Sequence, residues 1–160
     1  MKNGVPLNLQ TQYSKPYTCY EVAAFNGDIF VGGGANVVST TDSFYSNAAY
    51  WKNALEVTVD NEFNSGVHGI FAKDGDVYTC GLLRDGNGIT QTKKRAVYWK
   101  NQERHILSEE ESFASAIIVL NSHVYVCGII GDKAALWIDG TLFYTLKHTS
   151  NFLDMKVVQK

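Results

Sequence analysis

Residues Arg95–Gln102 read RAVYWKNQ, and residues Asn47–Ala54 read NAAYWKNA. Trp51 and Trp99 stand 48 residues apart, and a looser third copy, AALWIDG, carries Trp137. A second signature recurs in step with the first: AAFNGDIFVGGG from Ala23, IFAKDGDVYTCG from Ile70 and IIVLNSHVYVCG from Ile117. Asp28, Asp76 and His123 share one position in it, at spacings of 48 and 47. Self-similarity at a fixed period of this length marks stacked structural units, none of which can bury its faces alone.

Each unit reads as four short strands. The first ends in a two-residue turn, Asn26-Gly27, Asp74-Gly75 or Asn121-Ser122. Such pairs accept positive φ at both positions, as a type I′ hairpin turn requires. The second strand follows at once, over 29–32, 77–81 or 124–128. After a variable loop the third strand carries the aromatic block, over 48–52, 95–100 or 134–138. Asn53, Asn101 or Asp139-Gly140 then turns the chain into a fourth strand, over 55–59, 104–107 or 141–146. No run has a convincing 3.6-residue period, so helix is a minor component.

A repeated four-stranded antiparallel unit of about 40–50 residues has the length and pattern of a β-propeller blade. The expected fold is therefore all-β, with about three full blades and a stray strand at each end. The chain divides into a partial blade at 1–10, blades at 17–60, 66–108 and 113–147, and a partial blade at 151–160. Tyr50, Trp51, Tyr98, Trp99 and Trp137 are expected between neighbouring blades, where a large flat side chain fills a wide gap. Sugar-binding platforms are the competing reading, but each copy sits mid-strand rather than in a loop. Gly32, Gly81 and Gly128 are read as permitting close strand approach near a crowded axis. Cys80 and Cys127 match in the repeat without a CxxC spacing and read as small buried residues.

The GDIFVGGG and GDVYTCG segments, each followed by an aromatic strand, resemble kelch-type propeller repeats. They are still more similar to degenerate propeller repeats whose blades carry VYVAG and YWKNG blocks. Only Gly32-Gly33 keeps the kelch glycine pair, and no Trp-Asp or Gly-His signature of WD repeats is present. The resemblance implies a scaffold with ligands at its loop faces or in a central channel, and it carries no catalytic residue onto this chain.

At 160 residues, 45% hydrophobic and 19% charged, the chain has the size and composition of one globular domain. A net charge of −2 and a three-residue basic run, Lys93 to Arg95, leave no footprint for nucleic acid or an anionic membrane. No stretch approaches the roughly 18 apolar residues of a membrane span. The start, MKNGVPLNLQ, has no apolar core of a signal peptide, which makes the cytoplasm the default compartment, or the exterior for a piece of a secreted parent. Three cysteines do not form a complete disulfide framework.

MKNG aligns with the end of a third strand, which makes Val5 to Leu9 a leftover fourth strand. NFLDMKVVQK reads as the first strand of another unit. Three blades fall short of the usual 4–8. The expected remedies are a dimer that completes the propeller, with Val5–Leu9 of one copy beside Leu153–Val158 of another, or a missing part of a longer propeller; a compact irregular fold of the three units ranks last.

No histidine pair has metal-ligand spacing, and RDGNG at Arg84–Gly88 lacks the acidic ligands of a calcium loop. No metal or other cofactor is expected. No nucleophile elbow or paired-carboxylate motif is present, so no catalytic residue is assigned. Function on repeat scaffolds concentrates in variable loops. The expected binding residues are Asp42, Phe44, Tyr45, Asn61, Asn64 and His68, the last at the start of a first strand. The function read from these features is a non-enzymatic binding or assembly scaffold, with a protein or glycan as ligand. A lectin-like carbohydrate-binding module is the alternative, and a hydrolase or lyase with an axial site comes third.

Overall fold

The computed structural model describes residues 4–10, 17–38, 44–61, 64–84, 93–152 and 154–156. Among these the chain has no helix and forms twelve strands in three separate four-stranded antiparallel sheets. The first sheet holds β1 (Tyr17–Phe25), β2 (Asp28–Val38), β3 (Phe44–Lys52) and β4 (Leu55–Thr58). The second holds β5 (Ser65–Lys73), β6 (Asp76–Arg84), β7 (Lys94–Lys100) and β8 (Glu103–Ile106). The third holds β9 (Ser112–Leu120), β10 (His123–Ile130), β11 (Lys133–Ile138) and β12 (Thr141–Thr149). Each is a simple meander, with neighbours in chain order. The sheets stack as blades. β5 packs on β1, β2 and β3, and β9 packs on β5, β6 and β7.

The hairpin turns follow the sequence reading. Asn26-Gly27 has φ 49 and 81, Asp74-Gly75 has 53 and 90, and Asn121-Ser122 has 48 and 66, positive at both positions as type I′ demands. The strands run further than expected: β2 and β3 remain paired out to Val38↔Phe44, so Phe44 and Tyr45 belong to a strand rather than a loop. At the termini, Val5 forms an isolated bridge and residues 6–10 carry no ladder. Of the proposed last strand, Leu153, Val157 and Val158 lie outside the described residues, while Asp154–Lys156 are not in a strand.

The Tyr-Trp-Lys-Asn block explains itself atom by atom. Trp99 is fully buried and turns toward the first blade, where it shares a cluster with Ala48 and Val59. Trp137 does the same against Ala96 and Leu107 of the second blade. Tyr98 faces the other way, into the seam with the third blade. Lys52 and Lys100 reach back to Asp28 and Asp76 at 2.9 and 3.0 Å, passing over the Phe30 and Tyr78 rings. Asn53 and Asn101 close the unit. Their Oδ1 accepts the backbone N–H of Ile29 and Val77, and their Nδ2 donates to Asp28 and Asp76. In the third copy His123 and Asp139 exchange these roles, with Nδ1 2.6 Å from Oδ2 while Asp139 Oδ1 accepts Val124 N–H.

The glycine reading holds at Gly81 and Gly128 and needs a shift of one residue in the first blade, from Gly32 to Gly33. The backbone approach falls at Gly33, Gly81 and Gly128, where an added Cβ would lie 1.9, 1.9 and 2.0 Å from the carbonyl oxygens of Thr18, Gly66 and Phe113. Gly32 instead occupies the position of Cys80 and Cys127, and its Cβ would meet the Val67 side chain. Opposite each critical glycine the first strand bulges by one residue: Tyr20, His68 and Ser115 are the extra residues. The carbonyl just before each bulge crowds the glycine, which is why no side chain fits there. Cys80 and Cys127 are buried free thiols, and burial pushes both up, Cys127 to about 11.

Candidate functional site

The bulges also build a site. An extra residue on a strand is re-aimed out of the pleat. Tyr20 and His68, the bulge residues of the first two blades, lie face to face, with ring centroids 4.1 Å apart and planes 28° from parallel. Phe113 of the third blade meets His68 in a T-shaped contact, with centroids 4.6 Å apart and planes at 70°. The three rings form a continuous aromatic wall across both seams. Tyr20 and His68 also line a pocket of about 260 Å³ between the first and second blades, together with Ser46, Asn64, Arg84 and their neighbours.

The backbones of Asn64 and Arg84 and the hydroxyls of Ser46 and Ser65 are fixed by local bonds. Asn64 takes φ 66, the left-handed region that asparagine tolerates, and its carbonyl accepts Arg84 N–H at 3.0 Å. Ser46 Oγ donates to Ser65 O at 2.9 Å, and Ser65 Oγ accepts Ala48 N–H at 2.8 Å, tying β3 to β5 across the seam. Burial among the rings holds the His68 imidazole down to about 4 from its ordinary 6.5. It is therefore neutral at pH 7, with one ring nitrogen a donor and the other an acceptor.

This has a consequence for pH. The unfolded chain takes up a proton at His68 before the folded one does. The stability contributed by burying the neutral ring is thus full above about pH 6.5 and is lost as pH falls toward 4. Asp76 and Asp139 are lowered by their hydrogen-bonded partners, Asn101 and His123 first among them, so they act in a separate window, below their ordinary 3.8. His68→Gln is expected to flatten the decline in stability between pH 6.5 and 4. Urea midpoints at several pH values in both proteins measure it, and equal slopes would refute the assignment.

Of the residues singled out from sequence, Asn64 and His68 come together in this pocket. Asn61 lies elsewhere, in a shallow groove with Asp60, Gln102 and Arg104. Asp42 lies outside the described residues. Phe44 and Tyr45 are placed only by their backbones, at the outer end of the β2–β3 ladder leading to Ser46. Sequence reasoning missed Tyr20, Ser46 and Arg84. Tyr20 carried a signal: it stands at the repeat position of His68, 48 residues earlier. Among the described residues, no group of three or more His, Cys, Asp or Glu side chains is placed to hold a metal. The arrangement offers a flat ring face, neutral hydrogen-bonding groups and one guanidinium. No family model matches the chain, and no curated protein matches it.

Proposed function

We propose that the protein is a non-enzymatic binding scaffold of β-propeller type, taking a small ring-bearing polar ligand in the pocket beside Tyr20 and His68. The stacked Tyr20–His68 pair, lining one pocket with Ser46, Asn64 and Arg84, carries this reading. An exposed aromatic face accepts the apolar side of a flat or saturated ring, and a few convergent polar groups fix its orientation. A neutral imidazole suits hydroxyl recognition, since it can both donate and accept. Among ring-bearing ligands the chemistry favours a carbohydrate, which offers an apolar ring face and a rim of hydroxyls.

Calorimetric titration with a panel of simple sugars tests this. Tyr20→Ala and His68→Ala should each weaken binding at least tenfold, while Asn61→Ala, in the separate groove, should leave it unchanged. A panel in which no sugar binds the wild-type protein would remove the carbohydrate reading. Equal loss in all three variants would remove the site.

A further inference from the structure

The terminal segments behave as parts of a further blade whose other strands are not among the described residues. Gly4 has φ 80, matching Ala54 (79) and Gly140 (81) at the second position of the turn before a fourth strand. Leu9 packs against Trp51 as Val59 packs against Trp99 and Leu107 against Trp137. The Trp51 indole N–H donates to Gln10 O at 2.7 Å, as that of Trp99 donates to Asp60 at 2.8 Å. Residues 4–10 thus stand where a preceding blade would place its outermost strand.

At the other end, Ser150 Oγ faces Ala134 N at 3.4 Å. Ser65 and Ser112, which open β5 and β9, accept Ala48 N–H and Ala96 N–H in the same way at 2.8 Å. Ser150 therefore stands where a following blade begins its innermost strand. The Asp154 carboxylate acts electrostatically on both Glu21 of the first blade and Cys127 of the third, so the C-terminal segment runs beside the first blade and the two segments flank one gap. Among the described residues, the two central strands of a blade in that gap are missing.

Their absence is visible at one residue. Val22 is 65% exposed, while its repeat equivalents Ile70 and Ile117 are 3% and 2% exposed. What covers Ile70 is Phe30, and what covers Ile117 is Tyr78, each from the second strand of the preceding blade. Among the described residues, no second strand covers Val22. A second copy stacked directly, with its third blade on the first, does not fit this gap: residues 4–10 already cover Trp51, and Ser150 already holds Ala134.

We propose that the face around Val22, between residues 4–10 and the segment that begins at Ser150, is a docking site for a two-stranded β-hairpin built like the central pair of this repeat. The hairpin carries the central pattern of this repeat. Its first strand turns a Phe or Tyr onto Val22, and its second sets a Trp against Ala134 and Leu146, as Trp99 lies against Ala48 and Val59. Addition of strands to an incomplete sheet supplies affinity through the backbone and specificity through alternate side chains. The inference rests on the blade repeat and not on the pocket beside His68, so the two can fail separately.

A labelled peptide of residues 123–139, the protein's own β10–β11 hairpin, is the probe, titrated by fluorescence anisotropy against the whole protein. Saturable binding is expected. Val22→Asp, a substitution at an exposed side chain, should weaken it at least tenfold, and the peptide with Trp137→Ser should bind at least tenfold more weakly. Circular dichroism of Val22→Asp checks that the fold persists, and Val22→Thr provides a milder variant. Absent or non-saturable binding, or binding indifferent to both Val22 variants, would overturn the proposal. So would a stable dimer by light scattering that Val22→Asp dissociates, since a second copy would then be the occupant.

Discussion

Gly81→Ala is expected to leave the chain unable to hold its second blade, with a loss beyond about 4 kcal/mol out of the roughly 5–15 that typical domains possess. The new methyl carbon would lie 1.9 Å from the Gly66 carbonyl oxygen, which is backbone and part of the bulged β5 pairing. Relief requires β5 and β6 to separate, and β5 is the strand through which the second blade rests on the first. Gly33→Ala and Gly128→Ala meet the same obstacle at 1.9 and 2.0 Å. Gly32→Ala is the control. Its Cβ would press on the Val67 side chain at 2.8 Å, an overpacking that costs about 1–3 kcal/mol. Chemical denaturation of the four variants checks the order, and a Gly32 variant as damaged as the Gly33 variant would contradict the bulge assignment.

Asp60→Ala should be nearly as damaging for a different reason. Asp60 is 6% exposed in the link between the first two blades. Its Oδ2 receives the Trp99 indole N–H at 2.8 Å and Arg104 Nε at 2.7 Å, while Arg104 Nη2 reaches Oδ1 at 2.6 Å. Removing the carboxylate takes its charged partner from a partly buried guanidinium and its acceptor from a buried indole N–H together, a loss of about 3–5 kcal/mol. At about 2–4 °C per kcal/mol for a chain of this size, thermal unfolding should fall by roughly 10 °C. Asp60→Asn keeps an acceptor for Trp99 and gives up the charge, so it should fall less. Identical melting of the two variants would mean that the hydrogen bond to Trp99 contributes nothing.

The blades could be read from residues because the repeat states each constraint three times. Asn26-Gly27, Asp74-Gly75 and Asn121-Ser122 mark the same hairpin, and Trp51, Trp99 and Trp137 mark the same packed strand. What could not be read was whatever depends on a one-residue offset. The bulges at Tyr20, His68 and Ser115 are set by backbone crowding at Gly33, Gly81 and Gly128, and three consecutive glycines at 32–34 hide which one is crowded. The site suffered the same way. His68 looked solitary because its partner Tyr20 is a different residue type at the same repeat position, and Arg84 enters the pocket only through the pairing of β5 with β6. Lys52 and Asn53 were seen as part of a pattern, yet their bonds to Asp28 join residues too far apart in the chain for spacing alone to pair them.

Those turn bonds also restrict how one blade can diverge from another. Two blades hold an aspartate opposite an asparagine, and the third holds a histidine opposite an aspartate. A path from the first arrangement to the second has two single steps, and their order matters. Changing the asparagine first sets two carboxylates against each other at hydrogen-bond distance, where like charges repel. Changing the aspartate first leaves an imidazole facing an amide, which costs little. A repeat copied in blocks can therefore exchange this clasp only through the histidine intermediate, and the mismatched carboxylate pair is the combination that a lineage of such blades should lack.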